Sequence, residues 1–598
     1  MGIMGIFSKK ALDTPDVQDA TAVDMEKTAA ASDSAVVSVP EDSARSDTDN
    51  GSIHYQAGVR RVRAVTSVWS SKSLWLMFAL LYLVSFVDML LSTVSDGLTP
   101  FVTSLFEKHG LIATVGIVAT IMGGCCALTL AKVVDVFGRI EGFLFMLAIL
   151  ILGVILKAAC ENVETYVAGH TLYWTGHVGL MYVIDVMLAD MTSLRNRMIM
   201  FGINGTPTIA SVFAGPKIAD LFFTNSTFRW AFGAFTIIIA GVSIPVIALM
   251  LWHQRMADQM GLLPKDEHGR TWYQSIWHYL IEFDAVAVIL ITATFALILL
   301  PFNLVAYAPN GWKTGYIIAM EVVGVVCLGL FYGWEKNIAP VKFLPWKYLK
   351  EPTIIGSCLL YAVMFCSCFC WNAYFSSYLI VVYRLSITKA GHILNSFTLS
   401  SAIISPFIGV VIRYTGNIKY TAYAGIPLML IGTALLIPFR TPDTHWGLIT
   451  MTQVFVGVGT ALFAACGQLA VMATVSHQEV AVVIAVWGMF GSIGASIGFA
   501  IAGALWTNIF PAQLYARLPE ESKDMAAAIF ADITLQSSFL DGTPEREAIV
   551  GAYADVQRKM VIAGACLMPL VLASIFIWRN VKVNKPEEQE KQTKGNLF

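Results

Sequence analysis

Run after run of apolar residues, each about as long as a helix that crosses a bilayer, constrains this chain more than any other feature. A hydrocarbon core about 30 Å thick is crossed by about 20 helical residues. Runs of that length stand near 74–95, 111–131, 142–160, 166–189, 198–221, 230–252, 285–306, 314–333, 353–382, 391–412, 420–438, 447–472, 480–506 and 558–578. Within lipid each backbone N–H and C=O must be satisfied inside the protein, and a long unalternating apolar run does that only as a helix. The reading is an all-α membrane protein of about fourteen spans. Composition agrees, with 56% hydrophobic and 13% charged residues, and excludes a water-soluble enzyme. A net charge of −2 leaves no concentrated basic surface for nucleic acid.

An even number of spans returns both termini to one side, and the larger share of Lys and Arg then lies in loops on that side. The positive-inside rule makes it cytosolic. Asn225, in the sequon Asn225-Ser226-Thr227 after the fifth span, faces outward as a glycosylation candidate. Residues 1–70, rich in Ser, Asp, Ala and Thr, are expected as a disordered cytosolic tail. A six-helix bundle over 71–252 follows, then a polar inner loop over 253–284 and two additional helices over 285–335. A second six-helix bundle occupies 336–580, with a long outer loop at 507–557, and 581–598 form a second cytosolic tail. Within the outer loop, DGTPERE reads as a helix start, with Thr543 as N-cap and Pro544 at the first helical position, running on into the last span.

Polar groups inside the spans carry the functional information. HTLYWTGHVGLMYVID, residues 170–185, puts His170, Trp174, His177 and Asp185 at offsets that return to nearly one side of a helix. A carboxylate at membrane depth is costly unless it faces protein, water or a partner, so the question is what this stripe faces. Asp88 is a second acid in the first span. WNAYFSSY contributes Trp371, Asn372, Tyr374, Phe375 and Tyr378 at helical spacing, and the twelfth span carries Gln453 and Gln468. Apolar walls with a few placed polar groups suit a bulky, weakly charged ligand. Asp88, Asp185 and His177 are titratable groups at membrane depth, and would be the proton-coupling candidates of a proton-driven carrier. The ten cysteines sit almost entirely in apolar runs, against a disulfide framework. Cys366, Cys368 and Cys370 step by about 200° on a helix, so they do not converge on a metal. Gly491, Gly494 and Gly498 read as a close helix contact.

LAKVVDVFGRIEG, with Asp135, Gly138 and Arg139, resembles the loop motif of the major facilitator superfamily, although Ala131 and Val136 replace a Gly and an Arg of the pattern. GVVIRYTGNIKY, with Arg413, Gly416 and Lys419, is a degenerate second copy where an internal repeat expects it. ALWTNIFPAQLYARL at 504–518, DGTPEREAIVGAYADVQRKM at 541–560 and LPFNLVAYAPNGWKTGYIIAMEVVG at 300–324 are similar to blocks of the fungal siderophore-iron transporters of that superfamily, most of all the MirB type linked to triacetylfusarinine C.

The resemblance implies a major facilitator fold with 14 transmembrane helices, two six-helix bundles plus two extra helices, and a cavity lined by spans 1, 4, 9 and 12. It implies proton-coupled import of a ferric hydroxamate siderophore, with iron entering only as the chelate and no cofactor. His170, Trp174, His177, Trp371, Asn372, Tyr374, Phe375, Tyr378, Gln453 and Gln468 are then substrate-binding candidates. Asp135, Gly138 and Arg139, with Asp190 and Arg197 of a D-x-x-x-L-x-x-R pattern, are inner-gate candidates. A monomer in the plasma membrane is expected, endosomal or vesicle membranes being the alternative. Two readings stay open beside import. Gly202, Ser211, Gly215 and Pro216 partly match an exporter motif whose trailing glycines are here Ala219 and Asp220, which keeps a proton-coupled multidrug exporter in play. The other is a nutrient receptor that does not transport. No P-loop with its lysine is present, and no enzyme is expected.

Overall fold

The computed structural model describes residues 68–581, apart from 193, 263–271, 345 and 476–478. Nearly all of both expected tails lies outside the described residues. Among them, thirteen helices are long and apolar enough to cross a membrane, and the protein is a multi-pass membrane protein.

The first group comprises α1 (Ser71–Leu105), α2 (Ile112–Phe137), α3 (Arg139–Ala159), α4 (Val163–Met191), α5 (Leu194–Gly205), α6 (Pro207–Asn225) and α7 (Phe228–Gln259). A short helix, α8 (Trp272–Glu282), leads to the pair α9 (Ala285–Leu299) and α10 (Gly315–Asn337). The second group comprises α11 (Pro352–Asn372), α12 (Phe375–Tyr383), α13 (Ile387–Thr415), α14 (Ile418–Phe439), α15 (Trp446–Ala473) and α16 (Val480–Arg517). The last elements are the short α17 (Ala526–Ala531) and α18 (Ile533–Ser538), then α19 (Pro544–Ala565) and α20 (Met568–Phe576). The end of the molecule carrying α17 and α18 is called the loop face below.

Where a single fifth span was expected, two helices, α5 and α6, follow one another. Pro207 opens α6, and a proline ring removes a backbone donor and clashes with the preceding turn, so the break falls there. With that broken pair counted, the arrangement is consistent with fourteen crossings. The ninth span is likewise divided, into α11 and α12, at Ala373 and Tyr374. Side chains meet the carbonyls on either side of the break: Arg440 donates to Trp371 O, and Gln557 Nε2 donates to Tyr374 O at 3.3 Å beside the helical bond that carbonyl takes from Tyr378 N.

The loop expected at 507–557 is mostly helix. α16 continues to Arg517 and α19 begins at Pro544, so the connection proper spans 518–543. The apolar faces of the two long helices pack on each other: Trp506, Phe510 and Leu514 of α16 and Ile549 and Tyr553 of α19 are all fully buried. Thr543 caps α19 by accepting from Arg546 N, with Pro544 at the first helical position, as its sequence indicates.

Two helix contacts govern how the walls meet. A Cβ on Gly169 would stand 2.9 Å from Lys157 N, so α3 and α4 touch backbone to backbone there. At Gly498 a Cβ would meet Cys366 O and come within 3.0 Å of Phe369 Cβ, and Gly494 lies equally close to Ala362 of α11. The stripe of small residues on α16 is the close helix contact its spacing suggests.

Candidate substrate cavity

A cavity of about 340 Å³ lies between the two helix groups. From the first group, Asp96 and Thr99 of α1, Gly116 and Thr120 of α2, and His170 and Trp174 of α4 face it. From the second come Phe365, Phe369 and Asn372 of α11, Asn395 and Thr398 of α13, and Phe499 of α16. Aromatic rings thus alternate with a few hydrogen-bonding groups, which is the character of a site for a large ligand of low charge.

His170 and Trp174 stand on this wall as the stripe on α4 suggested. One turn of helix separates them, and their ring planes are 11° apart. His177 comes off the wall: its Nδ1 is 2.6 Å from Asp88 Oδ2, a pair joining α4 to α1 in which Asp88 is fully buried. Asp185 lies further along α4, half-buried, and does not line the cavity.

The second group departs more from expectation. Trp371, Tyr374, Phe375 and Tyr378 are fully buried in packing and do not line the cavity. The break at Ala373 and Tyr374 rotates the helix that follows, so the helical spacing assumed across it does not hold. Phe375 lies under the Arg440 guanidinium, 3.8 Å from its ring centre, and Tyr374 stacks on Trp506 at 4.3 Å. Of the WNAYFSSY residues singled out, only Asn372 lines the cavity. The expected wall from the twelfth span is also absent, since Gln453 is fully buried and Gln468, half-buried, does not line it either. α13 and α16 take the place of α15.

Two charged residues important to the site were overlooked in the sequence. Asp96 lies beyond the expected end of the first span, but α1 continues to Leu105 and leaves this carboxylate exposed toward the cavity. Lys157, near the end of the third span, is fully buried. Its Nζ donates to Ser95 Oγ, stands 3.3 Å from His170 Nδ1, and lies 4.3 Å and 4.6 Å from the ring centres of Phe232 and Tyr173.

At the loop face the two groups are tied together. Tyr374 donates its hydroxyl to Gly110 O at 2.9 Å, Thr388 Oγ1 to Asp220 Oδ2 at 2.7 Å, and Ile533 N to Ser104 Oγ at 3.2 Å. Exposed Asn225 ends α6 at that face. At the opposite face Arg139 Nε pairs with Asp190 Oδ2 at 2.9 Å, and Gly138 turns the chain between α2 and α3 at φ 117°, a region that favours glycine. Asp190 thus finds its partner on α3. Asp135 and Arg197 lie on α2 and α5, with side chains outside the described residues.

Two groups of membrane helices around a cavity, tied to each other at the loop face, define a carrier of the major facilitator class, and the Major Facilitator Superfamily family model matches residues 357–514. The chain is 66% identical over 563 residues to MFS siderochrome iron transporter 1 of Ajellomyces capsulatus, covering 94% of this chain and 97% of that one. It is 40% identical over 586 residues to siderophore iron transporter mirB of Emericella nidulans, covering 98% and 96%. The chain belongs to the siderophore iron transporter family of the major facilitator superfamily.

Proposed function

We propose that this protein imports ferric hydroxamate siderophores by alternating access, coupled to protons. The observation that carries the reading is the cavity between the helix groups, with aromatic walls and a few amide and hydroxyl groups. A ferric hydroxamate presents hydrocarbon and amide or ester oxygens outward and keeps its iron wrapped in its own ligands. Rings and hydrogen bonds suit such a surface, whereas free iron calls for convergent His and carboxylate ligands. The two relatives carry siderochrome and siderophore iron transport in their names, which supports carriage of this cargo rather than catalysis.

Ligands of drug size occupy pockets of roughly 300–1,000 Å³. At about 340 Å³ the cavity is at the small end, so entry requires the groups to part at the loop face, where Tyr374–Gly110 and Thr388–Asp220 join them. In this reading the loop face is extracellular, both termini are cytosolic, and a monomer works in the plasma membrane. Asp88 with His177 carries the coupling proton, and Arg139–Asp190 belongs to the cytosolic gate. Triacetylfusarinine C is the first substrate to try.

The test is uptake of radio-iron as ferric triacetylfusarinine C by yeast lacking its own siderophore carriers. Accumulation against a gradient, abolished by a protonophore, supports the proposal. Accumulation no greater than in cells without the protein refutes the substrate, and uptake indifferent to the protonophore refutes the coupling. Expulsion of preloaded drugs would favour the exporter, and binding without transfer the receptor.

A further inference from the structure

We infer that Lys157 is a positioning residue: it sets which nitrogen of His170 carries the proton, so that His170 presents an N–H donor to the ligand. The inference rests on the cavity being the substrate site.

As an ammonium, Lys157 offers donors and no acceptor. Nζ lies within 5 Å of the faces of Phe232 and Tyr173, which attract a cation. One donor goes to Ser95 Oγ and another is directed at His170 Nδ1, 3.3 Å away. Nδ1 must therefore accept, and a neutral imidazole that accepts at Nδ1 carries its proton on Nε2. The two ring nitrogens point in divergent directions. With Nδ1 turned to α3, Nε2 is directed away from Lys157, it has no protein partner among the described residues, and His170 itself forms part of the cavity wall.

Lys157 has little freedom to leave. It is fully buried, its backbone is pressed against Gly169 of α4, and aromatic rings surround its head group. The opposite tautomer would turn the Nε2 lone pair toward the cavity, where amide, ester and hydroxamate oxygens of a chelate are also acceptors. Two acceptors face to face repel, whereas an N–H there reads an oxygen of the cargo. Lys157 thereby acts on the ligand without touching it.

The experiment compares uptake kinetics of ferric triacetylfusarinine C in the same yeast, corrected for the amount of each variant at the surface. Lys157→Met keeps the apolar stem and removes the donor, so that either ring nitrogen of His170 can carry the proton, and KM is expected to rise about two- to tenfold with Vmax little changed. His170→Leu should give at least as large a rise, and the double variant no more than His170→Leu alone, because Lys157 acts only through His170. His170→Gln should keep KM near the wild-type value, since its amide can accept from Lys157 and donate to the cavity. An unchanged KM in Lys157→Met, or equal rises with and without His170, overturns the inference. Should Lys157→Met fail to reach the surface, equal KM values for His170→Gln and His170→Leu overturn it. If wild-type protein takes up no ferric hydroxamate, the substrate reading fails. The tautomer is then read separately, by nitrogen-15 NMR of the histidines in the purified protein: a proton on Nδ1 of His170 refutes the assignment and one on Nε2 supports it.

Discussion

His177 Nδ1 lies 2.6 Å from Asp88 Oδ2, and the other carboxylate oxygen, Oδ1, is buried without a partner among the described residues. In the proposed coupling, this unpartnered oxygen is where the Asp88 carboxylate would take the proton. Asp88→Asn imitates the protonated acid permanently. It is expected to lower net uptake at least about tenfold, equal to a barrier rise of about 1.4 kcal/mol, while exchange of bound cargo across the membrane persists. Comparing accumulation with counterflow in vesicles checks this; equal loss of both would make the role structural. His177→Ala, which leaves Asp88 buried alone, should destabilise by about 1–3 kcal/mol, read as a lower melting temperature.

The pair Arg139–Asp190 joins α3 to α4 at the face opposite the loop, with both side chains largely shielded from solvent. In a double-mutant cycle with Arg139→Gln and Asp190→Asn, the coupling between them should be about 2 kcal/mol, as for a charged hydrogen bond. Each single variant should weaken closure of that face, seen as faster labelling of cysteines placed beside it. Fully additive effects would separate the two residues.

Trp371 and Asn372 are adjacent in sequence and differ in role. Trp371 is fully buried beneath Arg440, so Trp371→Ala should cost about 3–5 kcal/mol of stability, measured by thermal unfolding in detergent. Asn372 faces the cavity, so Asn372→Ala should leave the melting temperature nearly unchanged and raise the KM for cargo. The reverse pattern would put Trp371 on the ligand.

Gly494 of α16 packs so closely on Ala362 of α11 that a side chain has nowhere to go. Gly494→Leu is expected to destabilise by about 1–3 kcal/mol through overpacking, lowering both melting temperature and surface abundance. Gly488, which meets nothing nearby, should accept Ala without measurable change in either.

At the loop face Arg384 Nε holds Asp541 Oδ1 at 2.8 Å, and its guanidinium also donates to Ser537 O and Phe539 O. The hydrogen bond from Arg384, with the charges of Arg384 and Arg546 adding to it, keeps the Asp541 carboxyl below the usual carboxylate range. A group whose folded pKa is depressed contributes stability above its unfolded pKa and loses it as pH falls through the folded value. Docking of residues 535–543 should therefore be constant near neutrality and weaken below about pH 4. Asp541→Asn should remove this acid dependence. Protease sensitivity of the connection across that range is the measurement, and a pH profile unchanged in the variant would dissociate the latch from Asp541.

Much of the architecture was legible because it rests on local requirements. Backbone groups in lipid must be satisfied within each helix, so span length and hydrophobicity alone announce a membrane bundle. Thr543 and Pro544 announce a helix start for equally local reasons. On one unbroken helix the angular step is constant, and His170 and Trp174 could be assigned to a common wall from spacing. Tertiary structure decided how each helix is rotated about its axis and where it bends. The division after Asn372 turned three aromatic residues, Tyr374, Phe375 and Tyr378, into packing, α1 ran on to carry Asp96 into the cavity, and α3 met α4 so closely that Lys157 lies behind His170. Hydropathy along a chain has no access to these outcomes, because they follow from which surfaces of distant segments come into contact.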